Sequence, residues 1–137
     1  MSLGWDAKDT SLKGLAMKVL VVEDEWLVRE LIVGELLDAG FDVVEAESGE
    51  AALARYHEHH PDVLFTDIRL PGQIDGWDVA ERCRASNSDL PVVYATGYSP
   101  TEHRLVPGAV LISKPYTCAR VIGVIKRIMS SSSAAPI

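Results

Sequence analysis

The chain has 137 residues, of which 47% are hydrophobic, and it carries a formal net charge of −7. This length and composition are typical of one globular domain with a substantial core and exclude a disordered protein. The acidic balance argues against direct binding to nucleic acid or to an anionic membrane, because both need a cationic surface. No apolar run approaches the roughly 20 residues that cross a bilayer, and the first 16 residues lack the apolar centre of a secretion signal. We therefore predict a cytoplasmic protein without membrane insertion.

The two ends of the chain differ from its middle. Residues 1–16 have no clear periodicity and are predicted to form a flexible N-terminal arm, and the serine-rich residues 131–137 a flexible tail or cut linker. One domain is predicted between them, over residues 17–130. Its cysteines, Cys83 and Cys118, form no C-x-x-C pair, which favours two reduced thiols over a redox pair.

Short β-rich runs alternate with helix-like segments along the predicted domain, which is the pattern of an α/β protein with a parallel sheet covered on both faces. Strands are predicted at residues 18–22, 42–46, 63–66, 92–95 and 110–112. A helix is predicted after each strand. The first runs from about residue 25 to residue 39, and the spacing of its apolar residues places Leu27, Val28, Leu31 and Leu36 on its core face.

Capping residues mark the later helices. Ser48 is predicted to cap the second helix, which ends before Pro61, and Asp75 is predicted to cap the third. Ser99 and the residues that follow it predict a short fourth helix of about two turns, which ends at Pro107. The fifth helix follows the last strand.

Four of the predicted strands end on reactive polar residues. Glu23 and Asp24 follow the first strand, Asp67 follows the third, Thr96 the fourth and Lys114 the fifth. The carboxyl ends of neighbouring parallel strands lie along one edge of a sheet, where open α/β sheets bind ligands. We therefore expect these side chains to share one pocket.

Three carboxylates in one pocket repel one another unless a cation neutralises them. Magnesium prefers oxygen ligands and is typically held by one or two carboxylates together with waters and phosphate oxygens. We predict Asp24 and Asp67 as direct ligands of Mg²⁺ or Mn²⁺, with Glu23 acting through a water. Capping of the first helix is the alternative interpretation of Glu23 and Asp24.

Beside such a cation, Asp67 becomes a nucleophile that attacks a phosphorus centre and forms an acyl phosphate. Lys114 is placed to pair with one oxygen of the phosphoryl group and Thr96 to donate its hydroxyl to another. Pro115 indicates a fixed loop behind the lysine, for which a cis peptide bond is one option. A solvated lysine and a threonine chosen for β propensity are the alternatives.

These motifs resemble the receiver domain of bacterial response regulators. The resemblance covers residues 17–129. It is carried by V-L-V-V-E-D-E at residues 19–25, D-V-L-F-T-D-I-R-L-P-G at 62–72, D-G-W at 75–77, P-V-V-Y-A-T-G-Y at 91–98 and S-K-P-Y at 113–116. It implies a flavodoxin-like, doubly wound (βα)5 fold with strand order 2-1-3-4-5.

The resemblance also implies a role for each site residue. By this likeness Asp67 is the phosphorylated residue, Glu23 and Asp24 are the acidic pair, Thr96 is the switch hydroxyl, Lys114 contacts the phosphate, and the backbone carbonyl of Arg69 is a further metal ligand. The loop between Asp67 and Gly76 is one residue longer than the usual receiver loop, and Gln73 and Ile74 span the extra position.

One departure from the usual receiver pattern concerns switching. Leu111 stands where most receivers carry the strand-five Tyr or Phe that rotates inward on phosphorylation. The stretch from residue 94 to residue 98 resembles the F-A-T-G-x-Y signature of a single-domain subfamily. Gly97, Tyr98 and the short fourth helix are therefore predicted to receive the change that starts at Thr96.

The resulting prediction is a two-component phosphoacceptor that works alone. It receives a phosphoryl group from a sensor histidine kinase or phosphotransfer protein and switches a surface that binds a downstream protein target. It catalyses its own phosphorylation and dephosphorylation without being a metabolic enzyme. The alternatives are a receiver fragment of a larger regulator or hybrid kinase, a phosphorylation-independent binding module, and a phosphohydrolase of the haloacid dehalogenase type, which would place an acid where Arg69 stands.

Overall fold

The computed structural model describes residues 16–97 and 104–134, with side chains described as far as residue 130. Five strands and four helices occur in this part of the chain. They are β1 (Lys18–Val22), α1 (Trp26–Asp38), β2 (Asp42–Ala46), α2 (Gly49–His59), β3 (Val63–Asp67), α3 (Gly76–Ser86), β4 (Val92–Thr96), β5 (Val110–Ser113) and α4 (Cys118–Ala134). All pairings are parallel, in the order β2-β1-β3-β4-β5. The predicted flavodoxin-like order is confirmed.

The sheet has an apolar core on each face. β3 and β4 are buried along their whole length, which explains why both read as continuous apolar runs without alternation. Successive side chains point to opposite faces of a strand, so Leu64 packs on one side with α2 and α3 and Phe65 packs on the other with α1 and α4. The fold is therefore three layers with the sheet in the middle.

The predicted caps of the second and third helices are present. The Ser48 hydroxyl accepts a hydrogen bond from the backbone N–H of Ala51 at 3.1 Å. Asp75 and Asp78 form a reciprocal capping box at the start of α3. The first residue of α3, Gly76, lies directly against β3, and a side chain at this position would overlap the carbonyl oxygen of Asp67. These contacts fix where α2 and α3 begin.

The predicted core face of α1 is wrong at two of its four positions. Leu27 and Leu31 are each 60% exposed, whereas Leu36 and the unpredicted Ile32 are buried. Apolar residues occur on most sides of α1, so their spacing alone does not define the inward face. Ile32 and Leu36 pack in the core on this side of the sheet, and the Arg29 guanidinium donates a hydrogen bond at 2.7 Å to the backbone carbonyl oxygen of Glu23.

The predicted fourth helix falls mainly on residues 98–103, outside the described residues. Residues 104–106 are not helical and lead into a turn at Pro107 and Gly108. The last helix, α4, continues to Ala134, four residues into the predicted tail. An established helix extends at low cost into serines that do not themselves favour it. Residues 1–15 and 135–137 also lie outside the described part, so the domain bounds stay a prediction.

No helix in the described ranges is both long enough and apolar enough to span a membrane.

Candidate functional site

The carboxyl edge of the sheet brings the predicted site residues together. Asp67 is level with Ala95 of β4, and Thr96 is level with Ser113 of β5. The backbone N–H of Lys114 donates to the carbonyl oxygen of Thr96 at 2.8 Å, which extends the β4–β5 pairing to the lysine. A cavity of about 360 Å³ lies at this edge. Its lining residues are Asp67, Arg69, Thr96, Gly97 and Lys114.

Lys114 links two buried carboxylates. Its Nζ lies 3.0 Å from Oδ2 of Asp67 and 3.4 Å from Oε1 of Glu23. The two acids are 8% and 3% exposed, respectively. The Lys114–Pro115 peptide bond is cis. Because buried carboxylates are costly without a cation nearby, this one ammonium group compensates charge for both acids.

Burial governs the protonation of this group of residues. It raises the pKa of Glu23 from 4.5 to about 7, and the charge of Asp67 adds to the rise, whereas a hydrogen bond from the Glu25 backbone N–H and the charge of Lys114 oppose it. Burial likewise raises the pKa of Asp67, against the hydrogen bond from Lys114. Burial alone would lower the pKa of Lys114, but its hydrogen bond to Asp67 raises it overall. The ammonium therefore stays charged while the acids hold protons more tightly than usual.

The three acids form a candidate metal centre. Glu23, Asp24 and Asp67 each offer one carboxylate oxygen, and these atoms lie within 4.8 Å of one another. Asp24 is exposed, so waters can complete a coordination shell on that side. An all-oxygen, anionic donor set with access to water fits Mg²⁺. The Arg69 carbonyl stays a predicted further ligand, on a residue that lines the same cavity.

The predicted switch residues are distributed around the site. Thr96 is buried at the end of β4, and the exposed Gly97 follows it along the cavity. Leu111 is half-buried, is level with Tyr94 of β4, and packs against the core on the α2 and α3 side of the sheet. Tyr98 lies outside the described residues.

Two residues near the site were not predicted. The Tyr116 hydroxyl is buried with no hydrogen-bond partner among the described residues, and burial raises its pKa to about 12. Its ring meets Phe65 edge-on, with 6.1 Å between centroids. Arg29 holds the backbone of Glu23 from α1. The place of Tyr116 two residues after Lys114 in S-K-P-Y could have indicated that it lies near the site. No local pattern around Arg29 indicates its hydrogen bond to the Glu23 backbone.

Comparisons with known proteins agree with this architecture. The sequence pattern of the response regulator receiver domain matches residues 19–126. The solved structure of a response regulator receiver protein from Sinorhizobium medicae is 30% identical, with a TM-score of 0.81, and the match covers 86% of this chain and 98% of that one. NtrX from Brucella abortus is 32% identical with a TM-score of 0.78, over 87% of this chain and 28% of NtrX.

The same similarity extends to curated relatives. The transcriptional regulatory protein CusR of Escherichia coli is 32% identical over 126 residues, which are 86% of this chain and 53% of CusR. The probable transcriptional regulatory protein TcrX of Mycobacterium tuberculosis is 31% identical over 80% of this chain and 48% of TcrX. The chain thus spans about half the length of these relatives.

A doubly wound sheet with an acidic, lysine-bridged pocket at its carboxyl edge defines a phosphoacceptor domain of two-component signalling. The chain belongs to the response regulator receiver family, whose general function is phosphoryl acceptance.

Proposed function

We propose that Asp67 accepts a phosphoryl group from a phosphohistidine of a sensor histidine kinase or phosphotransfer protein. The reaction depends on Mg²⁺ or Mn²⁺ and takes place in the cytoplasm. The domain catalyses only its own phosphorylation and dephosphorylation, and it has no metabolic substrate. The phosphorylated form then binds a downstream protein target through an altered surface.

The contact between Asp67 and Lys114 is the observation that carries this proposal. A carboxylate 3.0 Å from an ammonium group, at the mouth of a cavity that also contains Thr96, combines a nucleophile with two groups that recognise phosphoryl oxygens. Glu23 and Asp24 stand beside it with the oxygens that a divalent cation requires. No other site of this composition occurs among the described residues.

In the proposed transfer, a carboxylate oxygen of Asp67 attacks phosphorus in line with the donor nitrogen. The N–P bond breaks as the O–P bond forms, and the donor imidazole keeps the electron pair and takes up a proton. Lys114 exchanges its partner from the Asp67 carboxylate to a phosphoryl oxygen, and the Thr96 hydroxyl donates to another. A bound divalent cation would neutralise the charge of the acids and of the incoming phosphoryl oxygens.

Mass measurement after incubation with acetyl phosphate and Mg²⁺ tests the acceptor. The wild-type chain should gain the mass of one phosphoryl group, and Asp67→Asn should gain none. Asp89→Asn, which removes an exposed acid before β4, is the matched control and should be phosphorylated like the wild type. An undiminished gain in Asp67→Asn would assign the acceptor to another residue.

We also propose that the signal leaves the site through Thr96, Gly97 and Tyr98. Support comes from Leu111, an apolar residue that cannot present a hydroxyl at the surface as a switch tyrosine does. Amide exchange should therefore change across residues 97–106 when beryllofluoride, whose BeF₃ group stands in for the phosphoryl, is bound at Asp67. Exchange that changes only in other segments would contradict this route.

A further inference from the structure

The loop between β3 and α3 carries Arg69, and the base of this loop is closed tightly. The backbone N–H of Gly76 donates to the carbonyl oxygen of Ile68 at 2.8 Å. Asp75, the residue before Gly76, is held by its capping box with Asp78. The two ends of the loop are therefore held together next to Asp67, and the positions between them depend on whatever holds the outer part of the loop.

That outer part is held by the start of α2. The Glu50 carboxylate accepts a hydrogen bond from the backbone N–H of Gln73 at 3.1 Å. Next to it, Gly49 approaches the loop so closely that a Cβ there would lie 2.7 Å from Cγ2 of Ile74 and would overlap the Ile74 carbonyl oxygen. Gln73 and Ile74 are the residues that span the extra position of this loop. The extra length is thus used to contact α2.

We propose that Glu50 is a positioning residue for the metal centre. By holding Gln73 it restrains the loop on the side opposite its base, and so fixes the backbone at Arg69, whose carbonyl is the predicted further ligand. The inference rests on the proposed function, since it concerns the cation that assists phosphorylation of Asp67.

Glu50 acts through the loop and not as a ligand. In the described ranges, the acids whose ligand atoms lie within 4.8 Å of one another are Glu23, Asp24 and Asp67, and Glu50 is not one of them. Its carboxylate accepts from the Gln73 backbone N–H and lies so close to Gly72 that a Cβ there would be 2.9 Å from Oε1. Restraint of a flexible backbone lowers the entropy that metal binding must otherwise remove, so loss of the contact should weaken binding without removing any ligand.

Calorimetric titration of the metal-free protein with Mg²⁺ tests this role. Glu50→Ala should weaken Mg²⁺ binding about threefold to tenfold. Loss of a residue that supports a metal ligand usually weakens binding about 10-fold to 100-fold, and we expect the low end or less because the contact between Glu50 and Gln73 is exposed. Glu50→Gln keeps an oxygen that accepts from Gln73, and its affinity should stay within about twofold of the wild type. Glu58→Ala removes an acid at the far end of the same helix and should also stay within about twofold.

Amide exchange at Gln73 supplies a second readout. The N–H of Gln73 should exchange faster in Glu50→Ala than in the wild type and should be protected again in Glu50→Gln. Glu50→Gln that binds Mg²⁺ as weakly as Glu50→Ala would overturn the proposal in favour of a charge effect at a distance. Equal affinity of Glu50→Ala and the wild type would overturn it while leaving the proposed function intact, and a wild type that binds no Mg²⁺ would overturn both.

Discussion

Two neighbouring acids of the candidate metal centre lie in opposite environments. Glu23 is 3% exposed and lies 3.4 Å from the Lys114 ammonium, whereas Asp24 faces solvent. Both residues follow the last residue of β1, and there the Glu23 side chain turns toward Lys114 while Asp24 lies at the solvent-exposed end of the site. The buried carboxylate of Glu23 therefore requires a cation nearby in the protein. The exposed carboxylate of Asp24 offers its oxygens on the side from which a hydrated metal ion would enter.

The largest expected effect comes from removing the cation that the buried acids share. Lys114→Met should lower the free energy of unfolding of the metal-free protein by about 2–3 kcal/mol at pH 8, below the usual value for a broken buried pair because the lysine is partly exposed. At pH 5 the loss should be smaller, since the pKa of Glu23 is raised to about 7 and this acid then takes up a proton. Urea unfolding measures both values. Lys126→Met, at an exposed position of α4, should change stability by less than about 0.5 kcal/mol.

The exposed acid should matter most when the metal binds. Asp24→Asn should weaken Mg²⁺ binding about thirtyfold, or about 2 kcal/mol, because a cation that dehydrates reluctantly loses an anionic ligand. Calorimetric titration measures the change. The stability of the metal-free variant should stay within about 0.5 kcal/mol of the wild type. Unchanged affinity would place the metal away from Asp24.

Unlike Asp24, the buried Glu23 should affect the stability of the metal-free protein. The pKa of Glu23 is about 7 in the folded state against an ordinary value of 4.5, so the folded state binds more protons between these values. This group therefore lowers the free energy of unfolding as the pH rises from about 4.5 through about 7. Glu23→Gln should remove that decline and stabilise the metal-free protein by about 1 kcal/mol at pH 8. A destabilised variant at pH 8 would show that the charged form of Glu23 is favoured by its surroundings.

The smallest effect links the two acids. Full competition between Mg²⁺ and the Glu23 proton would raise affinity about tenfold between pH 6 and pH 8 for a pKa of about 7. Because Glu23 is predicted to act through a water, competition is partial, and we expect a rise of about threefold to fivefold that then levels off. Glu23→Gln should abolish this dependence, and Asp24→Asn should retain it at a lower affinity. Titrations at a series of pH values give the comparison. A pH dependence that survives in Glu23→Gln would assign it to another group.

The architecture and the edge that carries the site were predictable because their signals are local. Apolar runs of strand length end on Glu23, Asp67, Thr96 and Lys114, and parallel strands necessarily bring such ends together. The strand order followed from the resemblance of the motifs to receivers, and it is confirmed. What each residue does in phosphoryl transfer stays a prediction.

Features that depend on contacts between distant segments were not predictable. The inward face of α1 carries Ile32 and Leu36, which pack with residues of the sheet and of α4, whereas Leu27 and Leu31 are exposed. The hydrogen bond from Gln73 to Glu50 joins residues 23 positions apart, and no local sequence pattern predicts it. The raised pKa of Glu23 results from burial, which emerges only when the whole sheet is assembled.

The close approach of Gly76 to β3 affects how mutational data on this chain should be interpreted. The start of α3 lies so close to β3 that any side chain at this position would overlap the backbone of Asp67, the proposed acceptor. A saturation library selected for phosphorylation would therefore retain only glycine there and rank the position beside Asp67 itself. A parallel selection for folded protein alone would separate them, since it should reject substitutions of Gly76 and tolerate Asp67→Asn. Intolerance at position 76 would thus report a steric requirement at a residue that takes no part in the chemistry.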